Sequence, residues 1–289
     1  MQLSRPAIEV IKMRSSWRTY RADPIEPEKR RVVEQWLSSS PTGPFGTPLR
    51  FELVAATADD QNALRGLGTY GFIRGAPGFI VGTARRAARD MEDFGYAMEQ
   101  IILLATDLEL GTCWLGGTFT KSTFAEKIML REEETLPAVV AIGHAAANRG
   151  AVEKLIRWGA KAKMRRPWEG LFFSSTFKQP LSMEAAGDFA TVLEMVRIGP
   201  SASNRQPWRF VRSQDGRRYH LFLRRTPGYG RDAKYIRVAD LQRLDMGIAM
   251  CHFSLTSAQL GLSGIWKDAE PNIGALPDHH EYVATWEIE

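Results

Sequence analysis

Cysteine is nearly absent from this chain of 289 residues. The two present, Cys113 and Cys251, make no disulfide framework and have no metal-binding spacing, so a reducing cytoplasm is the simplest setting. Cys113 reads as buried filler rather than a nucleophile. Histidine is scarce as well: His144, His220, His252, His279 and His280 show no ligand spacing, the last two read as surface, and no metal is expected. Long apolar runs are missing. The longest, Ile101 to Ala105, is far short of the ~20 residues that span a bilayer, and no membrane partner is expected. Met1 to Val10 carries Arg5 and Glu9 without an apolar stretch, so no secretory signal is expected. No Gly-x-Gly-x-x-Gly follows a strand-like segment, and no Rossmann nucleotide domain is predicted. Charge of one sign is in small excess, 38 basic residues against 33 acidic. Apart from Arg85, Arg86 and Arg89 and the run from Lys161 to Arg166, the basic residues lie dispersed among acids. Nucleic acid is therefore a poor partner, and small anions a better one.

A hydrophobic content of 44% over this length supports one large core or two domain-sized ones. Ile8 to Met13 has helical spacing and leads into a basic segment, and Pro27 suits the first turn of a helix over Glu28 to Leu37. Strands are predicted at Phe51 to Ala56, Phe79 to Thr83, Pro137 to Gly143 and Trp208 to Val211, and a helix at Thr120 to Lys127. Asn62 to Phe72 is mixed, with Tyr70 and Phe72 read as core. The strongest helix runs from Asp93 to Leu110, with Phe94, Met98, Ile101, Ile102, Ala105 and Leu108 at three- and four-residue intervals. Gly111 to Gly117 ends it, and Lys154 to Arg166 is a basic arm.

The stretch Pro200-Ser201-Ala202-Ser203-Asn204-Arg205-Gln206-Pro207-Trp208-Arg209-Phe210 sets hydroxyls, carboxamides and small residues between two prolines, just before a strand. By composition it is a capped turn, or else a polar cradle able to hydrogen-bond a planar, heteroatom-rich ligand. The two halves of the chain also echo each other. Pro48, Arg50 and Phe51 match Pro207, Arg209 and Phe210 at one offset; Asp93, Gly95, Ala97, Met98 and Trp114 match Asp245, Gly247, Ala249, Met250 and Trp266 at another.

The loop Pro-Ser-x-Ser-Asn-x-Gln-Pro-Trp-x-Phe resembles a signature of the FMN-dependent nitroreductase family, and Arg14-Ser15-Ser16-Trp17-Arg18-Thr19-Tyr20 resembles its N-terminal signature. In that family the unit is a homodimer with each flavin between subunits. Both motifs here lie on one chain, which resembles the fused, single-chain branch of the family. The resemblance implies an α+β fold of two tandem pseudo-symmetric halves, residues 1–173 with the Arg/Ser motif and 174–289 with the Ser/Asn loop, packed through helices Asp93 to Leu110 and Asp245 to Leu260. One chain would then do the work of a dimer, and a monomer is expected.

The resemblance further implies a single FMN site. Arg14 and Ser16 would hold the phosphate with Ser15 beside them, and Lys163 and Arg165, with Arg166 a close rival, would reach it from the basic segment. Arg18 would lie near the ring's pyrimidine edge and tune its electronics. Gly116 and Gly117 would lie against the ring, and Pro200, Ser201, Ala202, Ser203, Asn204 and Gln206 would hold it from the other half. The first-half loop, Pro41 to Pro48, lacks the Asn and Gln, so a second site reads as lost. The implied activity is oxidoreduction from NAD(P)H to a nitroaromatic or quinone by ping-pong hydride transfer through one flavin per chain. No protein nucleophile is called for. The alternative is a flavin-binding protein without turnover. Thr69 to Arg74 departs from the family's Asn and Lys at that place, so neither a pyrimidine contact nor the pocket shape above the ring carries over from the resemblance. Tyr70 and Phe72 either line the substrate side or, as read above, are core.

Overall fold

The computed structural model describes residues 2–55, 68–162, 164–229 and 239–289. Helices α1 (Ala7–Met13) and α2 (Pro27–Ser38) open the chain, followed by strands β1 (Leu49–Ala55) and β2 (Gly78–Arg85). Pro27 occupies the first turn of α2, where its missing N–H costs nothing. Next come α3 (Asp90–Asp107), β3 (Gly111–Leu115), α4 (Lys121–Lys127), β4 (Glu134–Thr135), β5 (Val139–Gly143) and α5 (Ala151–Gly159). The remainder consists of β6 (Phe172–Ser174), α6 (Met183–Ala186), α7 (Phe189–Arg197), β7 (Trp208–Arg212), β8 (Arg218–Arg224), α8 (Leu241–Gln259), β9 (Gly264–Lys267) and β10 (His280–Ile288), with short 3-10 turns at Trp168–Gly170 and Ala202–Asn204.

Two five-stranded sheets result. The first runs β1-β2-β5-β3 with β4 on the flank of β2, and all its pairings are antiparallel. The second runs β6-β7-β8-β10-β9, antiparallel except where β6 lies parallel to β7. The fold is α+β, as the motifs imply. The strand path β1-β2-β5-β3 corresponds to β7-β8-β10-β9, with α3 and α8 in equivalent places. Strand β6, at the junction of the two stretches, joins the second sheet.

The central helices α3 and α8 cross backbone to backbone. A Cβ placed on Gly95 would come within 2.2 Å of the Leu244 carbonyl oxygen, and one on Gly247 within 2.0 Å of the Glu92 carbonyl oxygen. Only glycine permits that approach. Leu244 and Ile248 of α8 join Phe94, Met98 and Ile101 of α3 in one core cluster; α7 and α8 pack with the second sheet in another, built on Phe210, Phe253 and Trp266. Helix α1 seals the crossing with Val10 and Ile11 against Leu103, Met195 and Cys251. Its entry is fixed by Asp107, which accepts from the Ser4 amide at 2.6 Å and the Ser4 hydroxyl at 2.9 Å.

Several expectations shift. Helix α3 begins and ends three residues earlier than predicted, because Glu109 adopts φ +63 and Leu110 N–H turns back to the Ala105 carbonyl at 2.9 Å. The glycine-rich run that follows is a strand for five residues: β3 pairs with β5, and its Cys113 is buried in a core cluster with Phe79 and Phe124. The basic arm contains a true helix, α5. Tyr70, expected in the core, is 69% exposed. Much of the mixed stretch Asn62 to Phe72 lies outside the described residues.

Candidate functional site

Arg14 is delivered by the C-terminal end of α1, and the chain then runs extended along the rim of the first sheet. Trp17 N–H donates to Thr112 O, Tyr20 N–H to Arg74 O and Arg21 N–H to His144 O, each at 2.9 Å. Tyr20, buried, turns its hydroxyl onto the Trp17 carbonyl at 2.7 Å. From above, α5 clamps the same segment. Glu153, 2% exposed, accepts from Arg18 N–H and the Thr19 hydroxyl, both at 3.1 Å, and pairs with Arg149. Arg149 donates to the Ser15 hydroxyl at 3.0 Å and the Ser16 carbonyl at 2.9 Å, and its guanidinium lies 3.8 Å from the Trp17 ring centroid.

The loop from Pro200 to Gln206 faces this rim from the far side of the helix crossing. Ser203, Asn204 and Gln206 all adopt positive φ (50°, 54° and 50°), a conformation that costs non-glycine residues free energy and concentrates where surrounding structure over-determines it. The restraints are visible. Gln206 N–H donates to the Ser201 hydroxyl at 2.9 Å, Ala202 N–H to Asp245 at 2.9 Å, and Asn204 N–H to Ser201 O at 2.9 Å. The Asn204 carboxamide donates to the carbonyls of Lys161 (2.8 Å) and Met164 (3.0 Å), while Gln206 Oε1 accepts from Arg166 N–H at 2.7 Å.

Between rim and loop lie two adjoining cavities. The first, about 250 Å3, is walled by Arg14, Arg18, Arg157 and Arg165 together with the hydroxyls of Ser15, Ser16, Ser201 and Ser203. No acidic side chain lines it among the described residues. Burial holds the Arg14 guanidinium below its ordinary range, against the pull of Glu99. Burial lowers Arg157 and Arg165 too, with repulsion from Arg149 next for the former and from Arg14 for the latter. Arg165 gives its outer nitrogens to the carbonyls of Ala162, Met164 and Ile198, yet its Nε is buried without a partner. Among the described residues the guanidinium of Arg14 donates no hydrogen bond; its nearest acid is Glu99, at 3.8 Å. Buried cations left short of partners mark a place for an anion with several oxygens.

The second cavity, about 380 Å3, is of a size usual for small-molecule sites. Trp114, Leu241, Leu244 and Ile248 make it apolar; Asp245, Thr118, Tyr229 and the Ser201–Ser203 backbone make it polar on one side. Ser16, Arg18, Pro200, Ser201 and Ser203 line both cavities, so Arg18 stands at their junction. Burial pushes the Asp245 carboxyl well above the usual carboxylate range, with one backbone N–H, that of Ala202, opposing.

Of the residues singled out from sequence, Arg14, Ser15, Ser16, Arg18, Arg165, Pro200, Ser201, Ser203 and Asn204 converge on the first cavity, and Gly116, Gly117 and Ala202 on the second. A Cβ on Gly116 would meet the tip of the Leu241 side chain at 2.5 Å. Gln206 lines neither cavity. It is 4% exposed, and its carboxamide is consumed by Arg166 and Asn204, which braces the loop from behind. Arg166 likewise binds the Arg205 carbonyl instead of the cavity. Lys163 lies outside the described residues. Sequence reasoning missed Arg157, whose place four residues after Glu153 on α5 was the available signal. It also missed Asp245 and Trp114, visible only as members of the internal echo.

A family model described as "Putative TM nitroreductase" matches residues 7–257. Among solved structures, a "putative nitroreductase" from Thermotoga maritima is 17% identical, with a TM-score of 0.62 covering 100% of this chain and 96% of that one. That likeness shows the fold. A nitroreductase from Bacteroides fragilis with bound FMN aligns over 51% of this chain and 92% of its own, at 20% identity and a TM-score of 0.39. One from Desulfovibrio desulfuricans in complex with FMN aligns over 53% and 95%, at 24% and 0.39. No curated protein matches the chain.

Proposed function

Since the chain belongs to the nitroreductase family, we propose that it is an FMN-dependent oxidoreductase with one flavin site per chain, passing electrons from NAD(P)H to an electron-poor nitroaromatic or quinone. The observation that carries this reading is the joining of a four-arginine, acid-free cavity to an apolar one of ring size at Arg18. A molecule with a phosphate at one end and a planar heteroaromatic at the other matches that sequence of walls, and solved relatives hold FMN.

The residues present fit the cofactor. Arg14, Arg157 and Arg165, with the Ser16 and Ser201 hydroxyls, would hold the phosphate; the buried Nε of Arg165 and the guanidinium of Arg14, which donate no hydrogen bond among the described residues, would gain acceptors. Trp114, Leu241 and Ile248 would wall the ring with apolar surface. When bound, FMN supplies two-electron hydride chemistry, so the two substrates use one chamber in turn. Arg18 keeps a fixed cation at the junction, where it favours whichever form of the ring carries more negative charge. Asn204 and Gln206 contribute by holding the loop in its strained shape. Asp245, whose carboxyl burial shifts towards its neutral form, would give the chamber a polar group for the ring's heteroatoms.

On this reading residues 1–173 and 174–289 are nitroreductase-like halves in tandem, α3 and α8 replace the dimer interface, and the monomer works in the cytoplasm. Corresponding strand paths and the paired roles of Asp93 and Asp245 support it. Asp93 accepts from Phe45 N–H at 2.9 Å and Thr47 N–H at 2.8 Å, as Asp245 does from Ala202. Phe45, though, packs against the second half's core. On the same reading Phe45 would take the place of a second flavin.

The test is a visible spectrum of the protein as purified and after FMN reconstitution, followed by anaerobic NADH and NADPH. A yellow protein bleached by either, and re-oxidised by a quinone or nitroaromatic, is the expected result. A yellow protein that neither bleaches makes it a flavin binder without turnover. A colourless one that cannot be reconstituted refutes the assignment.

A further inference from the structure

Glu99 of α3 is fully buried at the helix crossing, with three neighbours around its two oxygens. Trp114 Nε1–H, from the wall of the ring chamber, donates to Oε2 at 2.9 Å. The other oxygen, Oε1, is contested. His252 Nε2 of α8 stands 3.0 Å from it, and Arg14 Nε, from the phosphate chamber, 3.8 Å. His252 is buried as well, and its Nδ1 lies 2.9 Å from the Met195 carbonyl.

The proton count follows from these distances. A carbonyl only accepts, so Nδ1 carries a hydrogen. At 3.0 Å two lone pairs would repel, so a second hydrogen lies between Nε2 and Oε1. Whether it sits on the imidazole or on the carboxyl, the pair holds it in common and is neutral as a unit. Arg14, 0.8 Å farther from the same oxygen (3.8 against 3.0), is then left with a charge that no other acid among the described residues pairs with. We propose that His252 is a positioning residue: by claiming Glu99 Oε1 it keeps Arg14 free to face the anion in the phosphate chamber. Without His252's proton, Glu99 would be a bare buried carboxylate whose nearest cation is Arg14. It would draw that arginine away from the cavity and cancel it. The residue touches neither cavity, and its effect is carried through Glu99 across the two halves of the chain.

This inference rests on the flavin reading, and the test separates the two. FMN and riboflavin share the ring but only FMN has the phosphate. Dissociation constants for both, by flavin fluorescence quenching, would be measured for the wild type, His252→Gln, Glu99→Gln and the double variant, with protection from thermal unfolding by inorganic phosphate as a flavin-independent check. A glutamine in place of His252 would retain a donor towards Glu99 but cannot carry the proton. The expected outcome is that His252→Gln weakens FMN about 10-fold or more while riboflavin changes less than about 3-fold. Adding Glu99→Gln, which removes the competing charge, should restore FMN affinity, and Glu99→Gln alone should keep it. A structural role would weaken both ligands together, and the double variant at least as much as the single one; either result overturns the proposal. If His252→Gln fails to fold but the double variant folds, the neutralisation of Glu99 is supported; if neither folds, the pair is structural and the proposal fails. A wild type that binds neither flavin nor phosphate refutes the flavin reading itself.

Discussion

Replacing Gly247 by alanine tests the helix crossing on which both chambers depend. In an ordinary helix interior that exchange is favourable by ~1 kcal/mol, since alanine restricts the unfolded chain and suits the helix. Here the new Cβ would lie 2.0 Å from Glu92 O and 2.6 Å from Tyr96 N, both backbone atoms of α3 that no side-chain rotation can remove. Ordinary contact needs roughly 3.5 Å, so α3 and α8 must part by about 1.5 Å. A gap of half that already forfeits about a quarter to a half of the attraction at each facing pair, and Leu244 and Ile248 against Phe94 and Met98 are such pairs. Overpacking of this kind costs roughly 1–3 kcal/mol; rigid opposing atoms place it at the upper end, so the net loss is about 2 kcal/mol. For a chain of this length that lowers Tm by roughly 4 °C. Because Leu244, Asp245 and Ile248 also line the ring chamber, flavin affinity should fall together with stability. Gly159→Ala, at the end of α5 with nothing within 4 Å of its Cβ, is the control and should be neutral or slightly stabilising. A Gly247→Ala protein as stable as the wild type, with unchanged flavin affinity, would show that the helices are not pressed together as described.

Arg157→Ala should weaken FMN by roughly 10- to 100-fold, the equivalent of one charge-assisted contact, and leave riboflavin within a few-fold, as measured by fluorescence quenching. Asn204→Ala removes both donors to the 161 and 164 carbonyls and puts alanine at φ +54; a cost of roughly 1–3 kcal/mol is expected, seen as faster amide exchange over residues 200–206. His220 is held down to about 4, chiefly by burial, against an ordinary 6.5. Its neutral form belongs to the fold, so the unfolded chain takes up the extra proton between those values and stability falls as pH drops from 6.5 towards 4. His220→Gln should therefore lose less stability than the wild type between about pH 7 and pH 5 in urea titrations; an equal loss would count against the burial described.

The fold was legible where one physical signal dominated. The apolar repeat of α3 and the prolines bounding the 200–207 loop placed the scaffold to within a few residues. What escaped lay where several forces compete. Gly111 to Gly117 reads as a helix stop, and it does follow one, but its first five residues have no alternation to show because both faces of β3 are covered. Helix α5 reads as a basic arm because its charges dominate its composition, although Glu153 and Arg157 work towards the rim and not towards solvent. At the site, the arginines and serines close in sequence pointed to residues that do line one cavity together. The second cavity was less legible. Trp114, Leu241, Leu244 and Ile248 look like any core residues, and only tertiary packing shows that they border a cavity. Gln206 shows the converse: a residue type suited to a ligand, turned instead onto Asn204 and the backbone of Arg166.

Two aspartates at matching places on the central helices show how one framework supports unequal ends. Asp93 divides its oxygens between two N–H donors, at Phe45 and Thr47, so each oxygen has a partner of its own within the loop that covers it. Asp245 finds one N–H, reached by both its oxygens, and is driven towards its neutral form by burial. The difference begins in the loops. Gly43 allows the first loop to close directly onto Asp93, since a Cβ there would collide with the aspartate itself. Ala202 at the second loop, beside the left-handed Ser203 and Asn204, holds the chain off and leaves a chamber. In a symmetric dimer both loops would be encoded by the same residues and would have to open or close together. On the two-half reading proposed above, a single chain can give the open loop its strained residues and the closed loop a packed Phe45, and the stability lost at one end is offset at the other.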